Sequence, residues 1–510
     1  MRKNVAAAPA VERTGRLPRR MLALALAVMV VGAMSAGGAG RANDAGKVDR
    51  EPRPRFIVTL APGVAQQAHE TAERLSAKTL DGRVFVVVTR NGDIEPRLQG
   101  PGLTENTPPF WGTDVDGLSA GRSVTLRGDD ERVYGFPLPD LNDLPEGEYF
   151  VQAFMNVYET FHRSDGSTVK LHMPCGDGHR VIWGTGNVFS DVEKVQITHS
   201  SKPVRLKLSH VIPPRDPTPP GGTCQQANMA ESQHVKFVKI KSELLSRFWG
   251  RPMYIAASVL LPKGYEEHSQ ARYPVVYAMS HHHRAYSLAG SQNPNQSLVF
   301  GNFNEAGTNP FSQWWLAENT PRVIVVRPLS ENPFYDTSYW VDSPNVGPYG
   351  RALTEELLPE IDERFRAIGA AWARTQTGGS SGGWMSLAPQ VFYPDLFGGA
   401  FILFPDNVDF RSFWLTNLYA DENAYWNVGE WRKWPRPYIR DHLTGNTVAT
   451  TEEWAHLELA MGNRSRSGEY FHQLQATWGP QGPDGYPGPA WDSRTGEIVE
   501  AAAEQYRKYD

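Results

Sequence analysis

The sequence predicts an α/β layer fold with a mostly parallel sheet, preceded by an all-β sandwich domain. Three observations carry that prediction. Residues 54–212 hold short runs rich in Val, Phe, Tyr and Thr, separated by turn residues. A proline-dense stretch closes that region. Beyond Val235, continuous apolar runs alternate with segments of helical spacing. The 510 residues exceed one ordinary domain. Charged residues are 21% and hydrophobic ones 40%, a globular balance that excludes general disorder.

Residues 1–42 read as an export signal, to be excluded from the fold. Arg13, Arg16, Arg19 and Arg20 precede an apolar run from Met21 to Val31, and small residues follow to Ala42. The run is too short for a membrane span. The protein is therefore expected to be exported, periplasmic or extracellular, with no membrane association once the signal is removed. The first 42 residues hold 7 basic residues and 1 acid, so the remainder carries 44 against 55, or −11. So acidic a chain is a poor partner for a phosphate backbone, and no nucleic acid is expected. Two cysteines, Cys175 and Cys224, exclude a disulfide scaffold or a four-Cys zinc site. In an oxidising compartment they suit one disulfide, with two buried thiols the alternative.

Within 54–212 the expected strands are Phe56–Leu60, Arg83–Val88, Ser123–Arg127, Tyr149–Tyr158 and Val204–Leu208. Leu144 to Val151 reads L-P-E-G-E-Y-F-V, which resembles the turn and Tyr that open a late strand in immunoglobulin-like sandwiches. A hairpin is expected around Asp165-Gly166. Residues 213–234 form a linker, opening with five prolines between 213 and 220. In the second domain, 235–510, Ala256–Leu261, Tyr273–Met279 and Arg322–Arg327 read as buried strands. Leu353, Leu357, Ile361, Phe365 and Ile368 mark one helical stripe, bent at Pro359. A strand over Ala373–Thr377, a glycine-rich turn, a helix over Trp384–Val391 and a strand over Ala400–Leu403 follow.

That turn is the informative motif. Residues 378–383 are Gly-Gly-Ser-Ser-Gly-Gly, and Gly378 to Gly382 spells G-x-S-x-G centred on Ser380. A strand before it and a helix after it are what a nucleophile elbow requires. The turn strains the serine backbone, needs glycine beside it, and pushes the hydroxyl out at the carboxyl edge of the sheet. Ser380 is thus the candidate nucleophile, and the N–H of Ser381 half of an oxyanion hole. A frame shifted by one residue would centre on Ser381 instead.

Here the chain resembles a family. Tyr273-Pro274-Val275-Val276-Tyr277, a His-containing loop, the G-x-S-x-G-G turn and a helix ending Tyr393-Pro394-Asp395-Leu396-Phe397 are similar to the esterase D-like branch of the α/β-hydrolases. Gly347-Pro348-Tyr349 fits it too. The branch includes feruloyl esterases, acyl-glutathione hydrolases and mycolyl transferases. The resemblance covers about residues 235–407 and implies that the loop after the Tyr273 strand gives the second oxyanion donor. That loop is Ser280-His281-His282-His283, where the family has His-Gly or Gly-His. His281 is the best positional match and His282 the next. Adjacent side chains in an extended loop point apart, so these histidines are not read as a metal site, and no cofactor is expected.

The resemblance also implies an acid and then a histidine after the serine. The histidines there are His442, His456 and His472, of which His472 and His456 are the candidate bases. Downstream acids include Asp406, Asp409, Asp421, Asp441 and Asp484. No two further Val/Ile-rich strands follow Leu403, so the C-terminal part of the hydrolase domain is expected to be missing, with acid and base beyond residue 510 or lacking. An insert over about 408–495 is rich in aromatics, among them Phe410, Trp414, Tyr425, Trp426 and Trp434, and suits a lid or a small core of its own. The reading is an exported serine hydrolase acting on a small-molecule or polysaccharide-linked carboxylic ester. A peptidase or acyltransferase on the same scaffold, and a non-catalytic binding protein, are the alternatives.

Overall fold

The computed structural model describes residues 54–510 except 75–76, 101, 105, 173–174, 176–181, 183, 199–200, 215–217 and 281–302. The export signal expected over 1–42 lies outside these residues. No helix among them is long and apolar enough to cross a membrane.

Among its described residues the first region is all-β but for one α-helix, α1 (Val64–Thr71), and two short 3-10 turns. Its strands are β1 (Arg55–Leu60), β2 (Thr79–Thr89), β3 (Phe110–Ser119), β4 (Ser123–Arg127), β5 (Tyr134–Phe136), β6 (Gly147–His162), β7 (Thr168–His172), β8 (Val188–Ser190), β9 (Glu193–Ile197) and β10 (Val204–Val211). All five expected strands form. They do not divide into two sheets as an immunoglobulin-like sandwich would. One continuous sheet runs β4-β1-β10-β8-β6-β2-β3-β5, with β7 and β9 also paired to β6. The cause is β6, sixteen residues long, which serves four partners along its length. Locally the sandwich-like Tyr is present: Tyr149 Oη donates to the Pro145 carbonyl, 2.7 Å away.

Side chains alternate across this sheet. Val84, Val86 and Val88 point into one core with Phe56, Val58 and Val151. Phe85 and Val87 point the other way, where Phe85 stacks on Phe154 at 4.5 Å and meets Leu457, Ala460 and Met461 of a late helix. Arg83, fully buried, binds that helix through the carbonyls of Leu459 and Ala460 and pairs with Asp114 at 2.9 Å. Cys175 and Cys224 form a disulfide, Cα atoms 4.9 Å apart. The stretch expected to be a linker is packed from Cys224 on: Gln226 is buried and donates to the Glu331 carbonyl.

The second region holds a six-stranded sheet of order β11-β12-β14-β13-β17-β18. Its members are β11 (Val235–Ser242), β12 (Met253–Leu260), β13 (Val275–Ala278), β14 (Ile324–Leu329), β17 (Arg374–Ser380) and β18 (Gly399–Pro405). β13, β14, β17 and β18 are parallel, and β12 runs against β11 and β14. Helices α2 (Glu243–Trp249), α3 (Pro310–Trp315), α4 (Tyr349–Arg351), α5 (Leu358–Arg364) and α6 (Ser381–Phe392) lie between strands, beside a small hairpin of β15 (Asp342–Ser343) and β16 (Gly347–Pro348). The bend expected at Pro359 is absorbed by a π-helical turn, Ala352–Leu357, just ahead of it. Proline has no N–H to give, and the widened turn accommodates the lost bond.

Among the described residues no strand joins the sheet beyond β18, as the sequence leads one to expect. Instead the chain turns back through the hairpins β19 (Trp426–Val428)–β20 (Lys433–Pro435) and β21 (Pro437–Arg440)–β22 (Thr447–Thr450), then α7 (Thr451–Met461), α8 (Tyr470–Trp478) and α9 (Glu500–Ala503). Its aromatics build neither a separate core nor a lid alone. Phe410, Phe413, Tyr425, Trp478 and Tyr506 join the core of the α/β sheet, whereas Trp431 is 90% exposed on the β19–β20 turn.

Candidate active site

β17 and α6 meet at Ser380. Its φ of 57° and ψ of −126° place a non-glycine residue in a sparsely populated conformation, a strain of about 1–3 kcal/mol that only a rigid surround sustains. Ser381 begins the helix, so the strained angle selects the frame centred on Ser380. Close backbone approach explains two of the glycines. A Cβ on Gly378 would lie 2.2 Å from the Gly382 carbonyl oxygen, and one on Gly382 would lie 2.2 Å from that of Met279. Any side chain there would pry strand, turn and helix apart. Ser380 is exposed at the carboxyl end of β17, and Ser381 is buried. The first N–H groups of α6, that of Ser381 included, have no partner within the helix and favour negative charge in front of them.

The strand next to β17 brings in an acid. β18 runs parallel to β17 and ends at Pro405, and the Asp406 N–H donates to the Ser380 carbonyl at 3.2 Å. Ser380 Oγ in turn donates to Asp406 Oδ1 at 3.3 Å. Asp406 is 6% exposed. Its other oxygen, Oδ2, accepts from Tyr339 Oη at 2.5 Å. Tyr339 Oη also lies 3.0 Å from Ser381 Oγ, and Tyr470 Oη lies 3.3 Å from the same hydroxyl. Tyr470 Oη also lies 3.5 Å from Tyr339 Oη. Burial drives both phenols above their ordinary value of 10, reinforced by the nearby carboxylate, so both stay protonated donors.

Aromatic packing fixes these phenols. Tyr339 sits edge-on to Trp384 of α6 at 5.5 Å and to Trp478 of α8 at 5.2 Å. Tyr470 opens α8 and meets Trp414 edge-on at 5.3 Å. Phe404, with φ of 33° and 77% exposed, covers Gly379 beside the serine. One exposed aromatic ring, Phe404, thus stands beside the serine, and hydroxyls surround one carboxylate beneath it.

The candidate bases lie elsewhere in the hydrogen-bond network. His472 is buried on α8, where its Nδ1 accepts from the Ser467 N–H at 3.3 Å and faces Glu458 Oε2 at 3.7 Å. Burial lowers the imidazole to about 3, and burial pushes Glu458 up to about 8 against three N–H donors. Burial thus disfavours the charged form of both groups, and so depressed an imidazole is a poor proton acceptor. His456 on α7 pairs with the Arg494 carbonyl at 3.3 Å. Among the described residues no histidine bonds to Ser380. His281 and His282 lie outside the described residues; the preceding Ser280 accepts from Arg327 Nη2 at 3.0 Å.

Tyr339 and Tyr470 carry no sequence signal that separates them from other aromatics. Asp406 has one: it follows directly on the strand after the elbow, at the same edge of the sheet. Asn345 and Asp342, near the Leu353 helix, are structural: Asn345 donates to the Gly479 carbonyl, and Asp342 accepts from the Arg351 N–H.

Residues 250–449 match the model of the family described as Putative esterase. That segment contains Ser380, Asp406 and Tyr339, but not Tyr470. No curated protein matches the chain. Solved structures similar to it include a ferulic acid esterase, at 22% identity over 33% of this chain and 58% of that one, with a TM-score of 0.25. An S-formylglutathione hydrolase from Agrobacterium tumefaciens is 19% identical over 36% of this chain and 62% of that one, with a TM-score of 0.25. A ferulic acid esterase from the anaerobic fungus Anaeromyces mucronatus is 17% identical over 36% and 63%, with a TM-score of 0.23. The chain spans less than two thirds of the length of each.

Proposed function

We propose that this chain, whose residues 250–449 carry the esterase-family sequence, is an exported serine hydrolase that cleaves carboxylic esters through an acyl-enzyme on Ser380. The single observation that supports this most is the strained serine between β17 and α6, held by glycines that tolerate no side chain. Ser380 Oγ attacks the ester carbonyl, its proton leaves to a base, and the carbonyl oxygen takes up negative charge. The Ser381 N–H and a donor from the loop after β13, with His281 and His282 its candidates, would receive that charge. Collapse expels the alcohol, and water releases the acid. The substrates of this reading are small-molecule or polysaccharide-linked esters.

A second reading is a non-catalytic binding protein, favoured by the lack of a described histidine at Ser380. Intact mass after treatment with a fluorophosphonate separates the two. One adduct on the parent and none on Ser380→Ala supports the hydrolase. No adduct on a folded parent refutes it.

A further inference from the structure

We propose that Asp406 itself takes the proton of Ser380, oriented for that task by Tyr339. The inference rests on the serine-hydrolase reading and goes beyond it by assigning the base. Three geometric facts carry it. Asp406 Oδ1 is the hydrogen-bond acceptor of Ser380 Oγ, at 3.3 Å, so the proton that must leave already points at a carboxylate. The carboxylate is fixed from the far side, because Tyr339 donates to Oδ2 at 2.5 Å, and Tyr470 Oη lies 3.5 Å from that phenol. Both oxygens are thereby assigned, one to Tyr339 and one to the serine. The described histidines after Ser380 are committed elsewhere or exposed.

The steps balance without a further reagent. As the Oγ–C bond forms, the Oγ–H proton passes to Asp406 Oδ1 and the carbonyl π electrons move to oxygen. As the C–O bond to the alcohol breaks, the proton returns to the departing alkoxide. Water then adds to the acyl carbon, giving its proton to the same oxygen. When the Oγ–C bond breaks, that proton passes back to Ser380. A carboxylate is a weaker base than imidazole but keeps its accepting form at lower pH. A phenol that stays protonated holds the acid's geometry without competing for the serine's proton.

The test is the rate of fluorophosphonate labelling of the full chain against pH, for the parent, Asp406→Asn, Tyr339→Phe and Ser380→Ala. Near-ultraviolet circular dichroism reports folding at each pH. The proposal expects the parent rate to hold on acidification through 6.5, where an ordinary imidazole protonates. Asp406→Asn should slow labelling about 100-fold or more, the usual worth of a general base. Tyr339→Phe should slow it less, because the carboxylate stays beside Ser380 but loses one donor. Labelling that falls with a midpoint near 6.5, or that persists in Asp406→Asn, overturns the assignment and leaves the serine reading standing. If Asp406→Asn does not fold, the parent profile alone decides. An unlabelled, folded parent removes the serine reading and this assignment with it.

Discussion

Gly382→Ala tests whether the elbow is set by backbone contact or merely by a flexible Gly/Ser turn. The new Cβ would stand 2.2 Å from the Met279 carbonyl oxygen, 3.0 Å from its carbon and 3.4 Å from Ser280 Cα. Real Cβ atoms essentially never come closer than 3.0 Å, so α6 and the end of β13 must part by at least 0.8 Å. Both neighbours are backbone, with no side chain to swing away. Overpacking of this kind costs about 1–3 kcal/mol, and the upper end applies here. Replacing a helical glycine returns about 1 kcal/mol, leaving a net loss of roughly 2 kcal/mol. The larger effect is on the site, since a shift near 1 Å between reacting groups costs about 100-fold in rate. Gly399→Ala is the control, because nothing lies within 4 Å of its Cβ. Urea unfolding and fluorophosphonate labelling, measured side by side, should show loss of both for Gly382→Ala and neither for Gly399→Ala. Equal behaviour of the two variants would refute a close-packed elbow and return the motif to an ordinary linker.

Two further outcomes follow from other parts of the molecule. His172 is buried between Asn156, the Arg466 carbonyl and the Tyr158 ring, and burial lowers it from 6.5 to about 4 against the opposing hydrogen bond to the Arg466 carbonyl. The unfolded chain therefore binds the proton first. The stability it confers is complete above pH 6.5 and falls as pH drops toward 4, by roughly 3 kcal/mol at about 1.4 kcal/mol per unit. Urea midpoints from pH 7 to 4 should show that slope, flattened in His172→Asn; an unchanged slope in the variant assigns the acid lability elsewhere. The edge strand β18 carries no charge from Gly399 to Pro405 and exposes Phe401 at 68%, Leu403 at 52% and Phe404 at 77%. Such an edge recruits other chains, so the isolated chain should self-associate in sedimentation, relieved by the double change Phe401→Lys, Leu403→Lys. A parent that sediments as a monomer and melts cooperatively contradicts this.

The parts of the fold that sequence made legible are those where one local constraint decides. Val275 to Ala278 and Ile324 to Leu329 are central strands with no exposed residue, so their stretches read as continuous apolar runs. Ser123 to Arg127 is a strand with the expected bounds because turn residues close it on both sides. What stayed hidden depends on partners far apart in sequence. β1 pairs in parallel with β10, Phe56 against Val204, and no local pattern announces a partner so distant. The single curled sheet follows from such pairings, whereas the two-sheet expectation follows from strand count and turn spacing alone. Likewise α7 docks on the far face of β2 through Leu457 and Met461, although its own sequence shows only a helix with scattered apolar residues.

The site divides along the same line. Ser380 was legible because a tight elbow must be written locally: the strain sits in one residue, and the glycines that permit it are its neighbours in the chain. The group that accepts its proton faces no such requirement, since any strand end at the same edge of the sheet can deliver it. Asp406 was one acid among several downstream, and only the parallel pairing of β17 with β18 singles it out, by setting Ser380 opposite Pro405 and placing the next residue within reach. Tyr339 comes from the loop after β14 and Tyr470 from the start of α8, 131 residues apart, and they meet because Trp384 and Trp478 pack the space between α6 and α8. A search for the base by chain order looks for histidine. Among the described residues the sheet ends at β18, and the group this pairing brings to Ser380 Oγ is a carboxylate. The chemistry at Ser380 therefore hinges on which group reaches that edge, and the acid limb of its reactivity identifies the group.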